Sequence, residues 1–186
     1  MFCSLDPSIK NTDLWEKTEE EGEPVLRLIN NDVIDHQGGK VALFSAIFED
    51  YTMKAEMCFL GHHLPEGNGG WFGFVMRAQD TENYELLWFI PLAESKHTVA
   101  YLPVAHGIVP WWTEAYRTQE KGEAQIPKDG WFQAEVLVQG DEFTLYIGEK
   151  EVFTKKFTYY LSKGHAGFYV GTATDAAFRR AEIRKL

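Results

Sequence analysis

The chain has 186 residues, of which 45% are hydrophobic and 15% aromatic, enough for one core that removes about 70% of the unfolded surface from water without metals or disulfides. That composition excludes disorder for the bulk of the chain. Eighteen Lys and Arg against 28 Asp and Glu give a formal charge of −10, which repels phosphate backbones and anionic headgroups and argues against nucleic acid and membrane partners.

The chain reads as one domain over residues 1–186, opening with a segment, 1–22, expected to be a loosely docked arm. Within it, Leu14 and Trp15 are followed by Glu19-Glu20-Glu21, a pattern of exposed edge or loop. Met1-Phe2-Cys3-Ser4-Leu5-Asp6-Pro7 is not a basic segment followed by an apolar one, and no stretch approaches the ~20 apolar residues that a bilayer requires. Taken as a native start, this predicts a cytoplasmic protein. Cys3 and Cys58 are too few for a disulfide framework or a metal cluster and read as free thiols.

Strands are expected at 24–29 and 40–48. Tyr51-Thr52-Met53-Lys54-Ala55-Glu56-Met57 then alternates apolar with polar, the signature of a half-buried strand. Further strands are expected at 71–78, 83–90 and 96–104. Phe132, Ala134, Val136 and Val138 form one inward face, and Gln139-Gly140-Asp141 supplies a turn. Phe143, Leu145 and Ile147 resume inward, and a second turn at Gly148-Glu149-Lys150 leads to a third strand, a meander. Strands at 164–171 and 176–183 complete the set. About ten to twelve strands are too many for one flat sheet, so two packed sheets are expected, with no helix of several turns.

Asn68-Gly69-Gly70 followed by Phe74-Val75-Met76-Arg77, Tyr84-Glu85, Gly130-Trp131 and the closing Phe178-Arg179-Arg180-Ala181-Glu182-Ile183-Arg184-Lys185-Leu186 resemble the jelly-roll domains called 3-keto-disaccharide hydrolase domains. These belong to the concanavalin A-like lectin/glucanase superfamily. The stretches 84–88, 101–103 and 171–178 also resemble laminin G-like modules. The resemblance implies an all-β jelly-roll β-sandwich of two antiparallel sheets, one bent into a concave groove where carbohydrate binds. Laminarinase-type members carry Glu-x-Asp-x-x-Glu on one strand, and no such segment occurs here. Paired-carboxylate glycosidase chemistry of that kind is therefore not expected.

Trp88, Tyr101, Trp111, Trp112 and Tyr116 lie close together in sequence with His97, His106, Glu114 and Arg117. Flat rings stack on pyranose faces while Arg, Glu and His bond hydroxyls, so the mixture suits a sugar groove. For Trp88, alternating with Tyr84, Leu86 and Ile90, core packing weighs equally. Trp111 and Trp112, adjacent on a strand, point to opposite faces, so one of them cannot enter the core. Arg77 shares a face with Trp71, Gly73 and Val75, opposite Phe72, Phe74 and Met76. It is expected to meet Glu85 either as a groove-floor ion pair or as an ordinary salt bridge on a solvated sheet.

His62, His63 and Glu66 share a loop that reads as an exposed polar loop, with metal binding or acid–base work as the sharper alternative. Asp175 reads as a turn-former, with a structural Ca²⁺ as the alternative; no other cofactor and no metal centre are expected. Phosphate-loop, dinucleotide, zinc-protease and serine-elbow motifs are absent.

Three functions are compatible with these residues. The first is saccharide recognition on a concave face by Trp71, Arg77, Glu85, Trp88, Tyr101, His106, Trp111, Trp112, Tyr116 and Arg117. The second is a hydrolase or lyase acting on 3-keto-glycosides. There the ketone acidifies the neighbouring C–H, Glu85 or one of His62, His63 and His106 is the base, and Arg77 or a metal polarises the carbonyl. The third is a non-catalytic scaffold that homodimerises through Trp111-Trp112 and Tyr159-Tyr160. The expected state is accordingly monomer or homodimer.

Overall fold

The computed structural model describes residues 15–29, 39–63, 70–92, 97–110, 121–159 and 161–186. They form thirteen strands and, among the described residues, no helix. One sheet has seven strands in the order β1-β2-β13-β4-β9-β10-β11: β1 (Trp15–Glu20), β2 (Glu23–Ile29), β13 (Thr174–Lys185), β4 (Tyr51–His62), β9 (Trp131–Gln139), β10 (Glu142–Ile147) and β11 (Lys150–Lys156). The other has six in the order β3-β12-β5-β6-β7-β8: β3 (Lys40–Phe48), β12 (Gly164–Val170), β5 (Phe72–Ala78), β6 (Tyr84–Phe89), β7 (His97–Val104) and β8 (Lys121–Glu123). Every pairing is antiparallel. The architecture is the expected all-β jelly-roll sandwich.

Period two decides what enters the space between the sheets. Tyr51, Met53, Ala55 and Met57 of β4 point inward beside Phe132, Ala134, Val136 and Val138 of β9, and the six-stranded sheet answers with Phe72, Phe74, Leu87, Phe89 and Phe168. Phe168 and Phe178 stack across the gap at 4.3 Å between centroids. Removing one such ring from water contributes roughly 1.5–3 kcal/mol. The six-stranded sheet is also apolar on its other face, where Val41, Leu43, Val75, Leu86, Trp88, Ala100, Leu102 and Tyr169 are buried in a second cluster. Its central strands therefore read as near-continuous hydrophobic runs, and burial alone does not tell their two faces apart.

The strand forecast fails at two places. From Trp15 onward the expected loose arm is β1, an edge strand paired with β2, because the Trp15 indole is buried against Phe178 at 6.0 Å. The short β8 carries no alternation long enough to read. Elsewhere β9, β10 and β11 form the expected meander, with a bulge between Leu145 and Tyr146.

Candidate functional site

β6 spans about 17 Å at ~3.4 Å per residue, and its two ends carry different chemistry. At the Phe89 end, Trp71 stands just ahead of β5 and stacks on Trp88 with centroids 5.9 Å apart and planes inclined by 22°. Both indoles belong to the outer face of the six-stranded sheet, with Trp88 buried and Trp71 partly exposed. The backbone here is locked to the turn between β12 and β13. Gly171 N–H donates to the Trp71 carbonyl at 2.6 Å, Trp71 N–H donates to Thr174 Oγ1 at 3.2 Å, and that hydroxyl donates to the Thr172 carbonyl at 3.1 Å.

The same turn holds a histidine. His63 follows β4, and its N–H donates to the carbonyl of Ala173, which has a left-handed φ of 51°. Its Nε2 lies 3.1 and 3.0 Å from the two carboxylate oxygens of Asp175, with the ring 39% and the carboxylate 13% exposed. His62 diverges from it and stacks on Phe59 at 6.4 Å. Adjacent strand residues face opposite ways, so the two imidazoles do not share a ligand.

Asp175, read from sequence as a turn-former or a Ca²⁺ ligand, is thus half of a histidine–carboxylate pair. Among the described residues, no three His, Cys, Asp or Glu side chains gather in a way that could hold a metal ion. Bonding to a carboxylate orients an imidazole and leaves its other nitrogen to exchange a proton. Nothing local in the sequence signals the pair, whose members are 112 residues apart.

Arg77 and Glu85 correct the expectation of a groove floor. One residue of β12, Ala166, opposes both Met76 and Arg77 of β5, and Arg77 takes the extra position with φ 51°. Such a bulge resets the strand's alternation. The fully buried guanidinium consequently turns away from Trp71 and donates to the carbonyls of Leu161 (2.8 Å) and Gly140 (3.0 Å), 3.6 Å from Asp50. Glu85 shares the parity of Leu87 and Phe89 and also faces inward. It accepts from the Tyr101 hydroxyl at 2.8 Å and from Tyr159 N–H at 3.0 Å. Burial pushes its pKa up to about 7, against the opposing pull of those bonds and of Arg77.

Tyr101, expected in the groove, packs its ring in the core against Phe143 at 5.0 Å. His106 is exposed in the turn after β7, its N–H donating to Asn83 Oδ1 at 3.1 Å, at the end of β6 remote from Trp71. Of the expected site residues the structure therefore keeps Trp71 and Trp88 together, pairs His63 with Asp175 at the turn that also holds the Trp71 backbone, and sends Arg77, Glu85, Tyr101 and His106 elsewhere. Trp111, Trp112, Tyr116 and Arg117 lie outside the described residues, as do Glu66 and Tyr160.

Residues 9–184 match the family described as the 3-keto-alpha-glucoside-1,2-lyase-like domain. Among solved structures, the chain is similar to the carbohydrate-binding module CBM66 from Bacillus subtilis, with a TM-score of 0.64 and 18% identity over 92% of this chain and 91% of that one. It is also similar to a Bacillus subtilis protein of unknown function with a galectin-like fold, with a TM-score of 0.61 and 11% identity over 98% and 94% of the two chains. A third likeness is to the GH43 protein BlXynB from Bacillus licheniformis, with a TM-score of 0.58 and 15% identity over 94% of this chain and 34% of that one. At these identities the structural likenesses establish the fold. Comparison with curated proteins finds no match.

Proposed function

Starting from a chain that belongs to the family of 3-keto-alpha-glucoside-1,2-lyase-like domains, we propose that it binds a saccharide at the Trp71 end of the outer face of the six-stranded sheet. The observation that carries this reading is the partly exposed Trp71 indole backed by buried Trp88. A rigid, supported aromatic face is what the apolar side of a pyranose ring stacks on. The fold shared with a carbohydrate-binding module supports the same reading. Titration with gluco-, manno- and galacto-disaccharides and their 3-keto forms is expected to change tryptophan emission. Trp71→Ala is expected to abolish the change, while Trp131→Ala, on the other sheet, leaves it intact. An unaltered titration in Trp71→Ala overturns the assignment. Trp111, Trp112, Tyr116 and Arg117, the sequence candidates that lie outside the described residues, are tested by alanine variants in the same series.

The His63–Asp175 pair favours a second reading, in which the bound saccharide is a 3-keto-glycoside and is cleaved. His63 accepts the C2 proton, made acidic by the C3 ketone, and the C–H electron pair becomes the C1–C2 double bond. The C1–O bond breaks, and the departing oxygen takes up a proton. Water added across the double bond then gives net hydrolysis. This places the base at His63 rather than Glu85, which is turned between the sheets and bonded to Tyr101 and Tyr159. New anomeric proton signals from a 3-keto-glucoside, lost in His63→Ala with binding retained, support this reading. Turnover unaffected by that variant, or none in the parent protein, overturns it.

A further inference from the structure

The two parts of the proposed site stand on different sheets, and one turn ties them together. Trp71 precedes β5 of the six-stranded sheet, whereas His63 follows β4 and Asp175 lies in β13, both of the seven-stranded sheet. Residues 171–173 carry the chain from β12 across to β13. Gly171 N–H donates to the Trp71 carbonyl at 2.6 Å, and a Cβ at Gly171 would lie 3.0 Å from Trp71 Cβ, so the turn packs directly on the tryptophan. The Ala173 carbonyl accepts from His63 N–H at 2.8 Å while the residue holds a left-handed φ of 51°. A residue with a Cβ keeps that conformation only where its surroundings over-determine it. Thr174 supplies the constraint. Fully buried and paired with His62, it accepts from Trp71 N–H at 3.2 Å through its hydroxyl, which donates to the Thr172 carbonyl at 3.1 Å and closes the turn around Ala173.

We propose that Thr174 is a positioning residue, whose hydroxyl fixes the strained turn so that Trp71 on one sheet and the His63–Asp175 pair on the other keep one relative placement. The proposal rests on the saccharide reading above for what that placement serves. The Trp71 bond alone would be an ordinary tie between sheets. The second bond, to the Thr172 carbonyl, spans Ala173 and so fixes the carbonyl that His63 N–H reaches. Packing between the sheets, such as Phe59 on Phe72 at 6.2 Å, is non-directional and permits small slides that a hydrogen bond resists. For a ketone-bearing ring stacked on Trp71, the turn then sets the distance from the C2 proton to His63. Misplacement of reacting groups by about 1 Å costs roughly 100-fold in rate.

Amide hydrogen exchange on the intact, ligand-free chain tests the tie without assuming a substrate. Thr174→Val removes the hydroxyl at nearly the same volume, and Thr174→Ser keeps it. Thr174→Val is expected to lower protection about tenfold at Trp71 N–H, which loses its acceptor, and also at His63 N–H, whose own acceptor remains. Protection at Val136 in the core is expected to stay constant, and Thr174→Ser is expected to restore both amides. A fall at Trp71 alone, no fall at either, a fall shared equally by Val136, or a Thr174→Ser variant that behaves like Thr174→Val each overturns the proposal. With a 3-keto-glucoside as probe, Thr174→Val is expected to lower kcat at least roughly tenfold at nearly unchanged KM, with recovery in Thr174→Ser. Equal losses of turnover and of saccharide affinity assign Thr174 to the fold and overturn its positioning role. A parent protein without turnover overturns the cleavage reading instead, and the exchange measurement still decides the tie.

Discussion

His63 Nε2 and the Asp175 carboxylate meet at 3.0 Å across the junction of β4 and β13, at the end of the sandwich where the Trp71 backbone is anchored to the same turn. The ring is 39% exposed, so water screens the pair and its contribution to stability is small, about 0–1 kcal/mol. His63→Ala and Asp175→Asn are therefore expected to shift the unfolding midpoint little. If the pair works on a bound sugar, the same variants lower turnover by orders of magnitude. Denaturant melts alongside rate measurements separate these outcomes, and a large loss of stability in both variants would assign the pair to the fold.

Phe178 stacks on Phe168 at 4.3 Å and also contacts Trp15 and Phe72, at 6.0 and 6.3 Å between centroids. Phe178→Ala is expected to cost about 3–5 kcal/mol. It should also loosen β1, whose Trp15 loses its neighbour. Chemical denaturation measures the first effect, and amide exchange in β1 measures the second.

Gly73 pairs with Trp88 and Tyr169 on its two sides, and a Cβ there would be driven into the Leu87 carbonyl of the neighbouring strand. Backbone, unlike a flexible side chain, cannot step aside cheaply. Gly73→Ala is expected to cost about 1–3 kcal/mol or more and to tilt Trp88. Near-ultraviolet circular dichroism of the stacked indoles would report that movement.

Glu56 accepts from Arg179 Nε at 2.7 Å and from Arg180 at 2.8 Å, while the Arg179 guanidinium lies 4.3 Å from the centre of the Trp131 ring. Partial burial opposes ionisation of Glu56, but the two arginines outweigh it and hold its pKa below the usual carboxylate range. A depressed folded-state pKa contributes stability above the unfolded value of ~4.3, and that contribution is lost as pH falls through the folded value. Glu56→Gln is expected to be less stable than the parent at pH 7 by about 1 kcal/mol. The gap should close below pH ~4, as thermal melts over pH 2–7 would show.

The alternation of Phe132, Ala134, Val136 and Val138, and that of Tyr51 through Met57, was sufficient to place β9 and part of β4 and to orient both faces correctly. The same reasoning put Arg77 on the wrong face. A single bulge opposite Ala166 shifts the count by one, and period-two inference has no memory of such a shift. Tyr101 misled for another reason. An aromatic residue with a polar tip suits a sugar groove and a buried hydrogen bond to a carboxylate equally well, and only the register Tyr101↔Leu87 turned it inward.

What the sequence by itself determined is the class of fold. Backbone alternation is local, so a half-buried run such as Phe132 to Val138 declares its own buried face, and about ten to twelve short segments with so many aromatic rings are too many for one flat sheet and close into two. What only the tertiary structure decided is which distant residues share a place. His63 with Asp175, and Glu85 with Tyr159, depend on strand order and register. These are set by the summed packing of both sheets, because no property of either partner's neighbourhood in the chain distinguishes one pairing from another.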